Sequence, residues 1–244
     1  MTPLPPPIFQ VGHLERLPLG TSYPAIVAHV GRLMTKLPGR PELVIDYTGV
    51  GRPVFDMFVY SGISPVGVVI TSGAVETHHR MTWSVPKLTL VSRLQALLHE
   101  GRLKILRELT EAETLVRELQ DFRCEFTAAG HLTFNARTGK HDDLVLGLAI
   151  AVWRAHGGGF PGWGVVEFTR RMAMGAAASE PRYYVGVDLG QSRDPTAIAI
   201  VRRVDLPRPV PEDDFGLKPK PNYARGSLEW EEEQRRRKAE AAPG

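Results

Sequence analysis

Two short apolar runs in this chain end on an aspartate: YYVGVD at 183–188 and LVID at 43–46. A brief continuous apolar run is the pattern of a strand buried on both faces. An acid placed directly after it emerges at the edge of the sheet, where open α/β sheets place their ligands. A third acidic position, the pair Asp142–Asp143, leads the strongly apolar stretch HDDLVLGLAIAVWRAH, which reads as a buried helix. Acids at a helix start can lean over the same sheet edge. Carboxylates gathered there repel one another unless cations neutralise them. Hard oxygen donors around open positions suit Mg²⁺ or Mn²⁺, and two such ions can activate a water and stabilise a leaving oxygen in phosphodiester hydrolysis.

Each acid taken singly has a plainer explanation. Asp142 or Asp143 can serve as an N-cap. Asp46 can cap the turn that follows it, with Gly49 and Gly51 supplying backbone freedom. The stretch DLGQSRD is also what an ordinary hairpin loop contains. Only together do they form a pattern.

Around these positions, helical and strand patterns interleave, which indicates an α/β layer fold. IFQVGHLERL reads as a strand, with Phe9 and Val11 toward a sheet face. TSYPAIVAHVGRLMTKL reads as a helix, with Thr21 or Ser22 as N-cap, Pro24 in the first turn, and Ile26, Val30, Leu33 and Leu37 on one side. PVFDMFVYSG is expected to be a helix closed by Gly62, and PVGVVIT a second buried strand. SGAVETHHRMTWS reads as a loop in which His78 and His79 are solvated. Two helices follow, PKLTLVSRLQALLHEG and TEAETLVRELQDF, the second with capping-box spacing between Thr110 and Glu113. RCEFTAAGHLTFNA reads as a hairpin turning at Ala-Gly. YYVGVDLG and PTAIAIVRRV read as a further hairpin.

This reading divides the chain into an extended, proline-rich arm (1–7), a main part (8–155), a linker (156–182), a strand hairpin completing the sheet (183–204), and a charged tail (205–244) expected to be disordered. Hydrophobic residues make up 43% and charged residues 23% of the 244, which fits a globular protein. There is one cysteine, Cys124, so neither an internal disulfide nor a CxxC zinc site is available. No run of about 18 apolar residues occurs, and the first ten residues lack a signal-peptide pattern. A cytoplasmic location and no membrane association are the expectation. A net charge of +3 is compatible with a polyanionic partner but equally with none, since 27 acids nearly offset 30 bases.

Three motifs together resemble the RNase H-like nuclease domain of the large terminase subunit of tailed phages. VGVDLGQSRDPTAIAIV (185–201) is similar to that family's first-strand motif. LVIDYTGVGRPVFDMF (43–58) is similar to its strand ending in Asp before a Gly-rich turn, and KHDDLVLGLAIAVW (140–153) to the acid pair opening its last helix. The resemblance implies an RNase H-like mixed sheet flanked by helices. It also implies a two-metal endonuclease acting on double-stranded DNA in a bacterial host, with two Mg²⁺ or Mn²⁺ and other phage packaging proteins as partners. Asp46, Asp188 and Asp142 or Asp143 would be the metal ligands. His141 and Asp194 would be supporting contacts, and Arg52, Arg137, Lys140 and Arg193 contacts to the DNA backbone.

Two departures stand out. The first-strand motif follows the other two, so the order is circularly permuted. The hairpin at 183–204 must then complete the sheet of its own chain, or exchange with a second copy in a homo-oligomer. In addition, no GxxxxGK[ST] phosphate loop is present. Two rival readings remain at this stage. One is a catalytically inactive, prophage-derived DNA-binding or assembly module. The other is a fragment of an actin-like, sugar-kinase-like ATPase, for whose phosphate loops two of the motifs could pass.

Overall fold

The computed structural model describes residues 5–126, 132–136, 142–158, 182–190 and 194–206, the side chains at 122–126 and 132–136 excepted. Strands and helices alternate as the patterning requires. β1 (Ile8–Arg16) leads to α1 (Tyr23–Thr35), β2 (Glu42–Asp46) to α2 (Gly51–Tyr60), and β3 (Val66–Thr71) to a short hairpin of β4 (Thr77–His79) and β5 (Thr82–Pro86). α3 (Lys87–His99), β6 (Leu103–Ile105) and α4 (Ala112–Asp121) come next. The hairpin β7 (Phe122–Phe126) and β8 (Leu132–Ala136), the apolar helix α5 (Asp143–Ala155), and the strands β9 (Arg182–Asp188) and β10 (Ala197–Val204) complete the series.

Eight strands form one sheet in the order β4-β5-β3-β2-β9-β10-β1-β6, and β7 and β8 pair separately. β9 runs antiparallel to β10, and β10 antiparallel to β1. On the other side of β9, β2 and then β3 run parallel. This is the RNase H-like mixed sheet, an antiparallel three-strand unit continued by parallel strands. The last two strands among the described residues, β9 and β10, lie at its centre, between β2 and β1 of their own chain. Exchange with a second copy is not required to complete the sheet.

Side-chain alternation divides the core in two. Leu43 and Ile45 of β2, Val185 and Val187 of β9, and Ile198 and Ile200 of β10 pack with α1 and α2 on one face. Val44, Tyr184, Ala197, Ala199 and Val201 pack with α3, α4 and α5 on the other. Under α5 the sheet is nearly bare: β9 presents Gly186 and β10 its alanines. A Cβ on Gly186 would overlap the Gly147 carbonyl oxygen and come within 2.8 Å of the Ala151 Cβ, so helix and strand meet backbone to backbone. The far end of α5 is pinned by Arg154, which donates to Glu42 at 2.7 Å, and by Arg203, which donates to the Ala155 carbonyl at 3.0 Å.

The expected loop at 72–84 instead contains β4 and the start of β5. β5 pairs in parallel with β3, and β4 lies along its outer edge. β4 is a short, exposed edge strand with no apolar alternation, and β5 sets only Trp83 and Val85 toward the core, too brief an alternation to announce a strand. His78 is exposed but stacks on Trp83 with ring centroids 4.0 Å apart. β6 was likewise not expected; three residues are held beside β1 by ladder bonds rather than by a sequence pattern. α4 begins at Ala112, and the Leu115 amide bonds to the Glu111 carbonyl, so Thr110 stands ahead of the cap position. No described helix is long and apolar enough to cross a membrane.

His156, just past α5, stacks against Phe9 at 5.7 Å. Burial first, and then the positive fields of Arg93, Arg102 and Arg203, lower its pKa from 6.5 to about 4. The neutral ring therefore favours the folded state above the unfolded value, and that contribution is lost as pH falls from about 6.5 toward about 4. Urea titrations in that window should show wild type losing on the order of 2 kcal/mol more than His156→Phe on acidification. Parallel loss in both proteins would refute the assignment.

Candidate metal centre

Register and alternation bring the acids to one place. Asp188 closes β9 opposite Ala197, which in turn faces Arg16 at the end of β1. Ile45 pairs with Val187, so Asp46 and Asp188 are the next residues along two parallel neighbours. Period two places Asp46 on the face of Val44, and Asp188 on the face of Tyr184 and Gly186. Both therefore look toward α5. Along α5, a Cβ on Gly147 would lie 3.6 Å from the Asp188 amide nitrogen, and Asp143 stands one turn nearer the helix start. The close approach of α5 is thus what carries its leading acids to the ends of β9 and β2.

Asp188 is only 8% exposed and hydrogen-bonds the Asp46 side chain. Burial first, then the negative fields of Asp46, Asp143 and Asp142, hold its carboxyl well above the usual carboxylate range. Asp46 also accepts the Thr48 amide at 2.8 Å, so the plainer turn-capping role is real for one of its oxygens. The turn itself needs glycine: Gly49 has φ +58°, and a Cβ on Gly51 would overlap the Asp46 carbonyl.

The N-cap explanation for the acid pair does not hold as stated. Asp142 occupies the N-cap position but makes no side-chain cap bond. Its carboxylate meets the Lys87 ammonium at 2.8 Å. Capping comes from another helix: Glu118 of α4 accepts the Val145 amide at 3.0 Å. Glu118 is 6% exposed and paired with Arg16, whose guanidinium also stands 4.0 Å from Asp143.

Glu118, Arg16 and Lys87 were not singled out in the sequence. For Glu118 a signal existed, since an acid sits on the apolar stripe of Ala112, Leu115 and Leu119. Arg16 and Lys87 carried none. Among the other expected residues, Arg52 is exposed at the start of α2, with its guanidinium 5.6 Å from the Tyr47 ring centroid. Asp194 is exposed in the turn before β10. His141, Arg137, Lys140 and Arg193 lie outside the described residues.

The donor set fits a hard divalent cation by its chemistry: mutually repelling aspartates, one of them deeply buried, supplied by three elements. As placed, no three His, Cys, Asp or Glu side chains among the described residues close on one point. Asp46 and Asp188 form the contacting pair, while Asp142 and Asp143 are held toward Lys87 and Arg16.

No family model matches the chain. In sequence it is similar to the large terminase subunits of Thermus phage G20c and Thermus virus P23-45, each 28% identical over 113 residues, 46% of this chain and 20% of the relative. The chain thus spans about a fifth of the length of the curated relatives it matches. In three dimensions it overlaps the large terminase nuclease of thermophilic phage G20c, with 20% identity, a TM-score of 0.42, and 59% of this chain and 81% of that one covered. The cobalt-bound form of that nuclease gives 23% identity, a TM-score of 0.43, and coverage of 59% and 80%. The Thermus phage P74-26 large terminase nuclease domain gives 20%, 0.40, and 61% and 80%. With TM-scores below 0.5, these overlaps add no weight to the sequence likeness.

Proposed function

We infer that this chain, similar in sequence to the large terminase subunits of Thermus phages, is a divalent-metal-dependent endonuclease. It hydrolyses phosphodiester bonds of double-stranded DNA, in the service of phage genome packaging in the host cytoplasm. The observation that carries this reading is the contact between Asp188 and Asp46 at one sheet edge, beneath two further acids at the head of α5. A buried carboxylate with other carboxylates for neighbours is costly unless a cation joins it.

Asp46 and Asp188 would hold the cation, with Asp143 or Asp142 completing the set for two Mg²⁺ or Mn²⁺. Bound there, such ions supply Lewis acidity for water activation and charge stabilisation at the leaving oxygen. The chain's own work is positional. The two strands and α5 hold the carboxylates with little freedom, because their backbones are locked by sheet ladders and by the Gly147–Gly186 contact. Arg52, beside the Asp46 turn, is available to a DNA phosphate, as would be Arg137, Lys140 and Arg193. His141 and Asp194 are proposed as supporting contacts to the acids. Neighbouring packaging proteins are the partners this role calls for.

Incubation with supercoiled plasmid and Mn²⁺ tests the reading. Nicked and linear products are expected, lost on chelation and restored when Mn²⁺ is returned. Retention of DNA without any cutting would favour a non-catalytic binding module instead.

A further inference from the structure

Two donors beside the acids at the head of α5 are taken up by a third acid from another helix. The first is the Val145 amide. A side chain at the N-cap position ordinarily accepts the amide two or three residues on. Asp142 holds that position and Val145 is the third residue after it, yet Asp142 makes no cap bond. The amide donates instead to one oxygen of Glu118 on α4, at 3.0 Å. The second donor is the Arg16 guanidinium, which stands 4.0 Å from Asp143 but pairs with the other oxygen of Glu118. Glu118 lies on the buried stripe of α4, three residues after the fully buried Leu115. A carboxylate in such a place is costly unless it is paired, and this one faces an amide and a guanidinium at once.

We propose that Glu118 is a positioning residue of the acid cluster: it takes two donors that would otherwise engage Asp142 and Asp143, and so keeps those carboxylates presented to a divalent cation. This rests on the nuclease reading and adds to it a residue that sets cation affinity without touching the cation. Without Glu118, Asp142 would turn back to cap its own helix, and Arg16 would close on Asp143. Each change draws a carboxylate away from the sheet edge where Asp46 and Asp188 end their strands. Glu118 acts on both through its two oxygens, which is why a single acid on α4 governs the pair on α5.

The test titrates Mn²⁺ calorimetrically into the full chain, without DNA. Glu118→Leu should bind Mn²⁺ roughly 10- to 100-fold more weakly than wild type, the usual cost of removing a support behind metal ligands. Glu118→Gln keeps an oxygen for the Val145 amide but no charge for Arg16, and should fall between the two; it carries the test should Glu118→Leu not fold. Leu115→Ala, a cavity on the same buried stripe, should destabilise the protein yet bind Mn²⁺ as wild type does. Melting in chelator reads the cap directly. Asp142→Ala should lower Tm by about 2–4 °C more when combined with Glu118→Leu than when made alone, because only then does Asp142 cap α5. Wild-type Mn²⁺ affinity in both Glu118 variants overturns the proposal, as do additive melting costs. So does an equal loss of affinity in Leu115→Ala, which would mark Glu118 as a packing residue only. Wild type that takes up no Mn²⁺ overturns the nuclease reading, and this proposal with it.

Discussion

Asp188→Asn is expected to abolish plasmid cleavage while leaving the cation-free fold at least as stable as wild type. The first half follows from position. Asp188 sits between the Asp46 carboxylate and the head of α5, so it is the acid most central to any ion held there. Charge stabilisation by bound metal is worth several kcal/mol in the transition state, and losing it corresponds to a fall of on the order of a thousandfold in rate. The second half follows from burial. A carboxyl whose pKa is raised in the folded state contributes stability below its unfolded pKa and loses that contribution as pH rises through the folded value. Near neutral pH the cation-free protein therefore bears the cost of this group, and an amide of the same shape removes it. Melting curves in chelator and in Mn²⁺ check both halves together. Wild type should gain stability on Mn²⁺ addition, whereas the variant should start as high or higher and gain much less. A variant that cuts at the wild-type rate, or that is plainly destabilised in chelator with wild-type metal stabilisation, would remove Asp188 from the centre.

Gly186→Val is expected to cost about 3 kcal/mol or more, toward or beyond the upper end for overpacked cores. The usual relief of overpacking, rotation of a flexible side chain, is absent here: the atoms in the way are the Gly147 carbonyl oxygen, the Ala151 amide nitrogen and the Ala151 Cβ. The helix must lift, and lifting α5 moves Asp143 away from Asp188. Cleavage should therefore fall even under conditions where the variant is folded. Gly147→Ala is the informative contrast. Its Cβ would meet nothing nearer than the Ala197 carbonyl at 3.4 Å, and alanine in a helix interior is favoured over glycine by roughly 0.5–1 kcal/mol. Near-neutral stability is the expected result. Denaturant midpoints for the two variants separate a backbone-contact interface from an ordinary packed one. Similar costs for both would show that the helix is held in some other way.

Arg16, Glu118 and Lys87 mark where sequence reading stopped. Each is charged, each sits in an element chosen for its apolar neighbours, and each acquires its role from a residue far along the chain: Glu118 from Val145, Lys87 from Asp142, Arg16 from both Glu118 and Asp143. Such pairings leave no periodic trace. The short strands β4, β5 and β6 escaped notice for a related reason. Ladder bonds to neighbours hold them, and each is too short, with at most two core-facing side chains such as Val85 and Trp83 or Leu103 and Ile105, for a period to show.

The acids themselves were another matter. Asp46 and Asp188 follow apolar runs long enough only for buried strands, and an acid there must leave the sheet at its edge. That inference needs nothing beyond period and length, and it holds. The interleaving of strand and helix, and with it the α/β class, was legible for the same local reason. What local pattern could not decide was adjacency. Nothing in the order of the residues states that β9 and β10 lie between β1 and β2, that Gly186 faces Gly147, or that Asp142 meets a lysine instead of capping its own helix. Those outcomes depend on which buried surfaces fit together once the chain has closed, a property of packed pairs rather than of any single stretch.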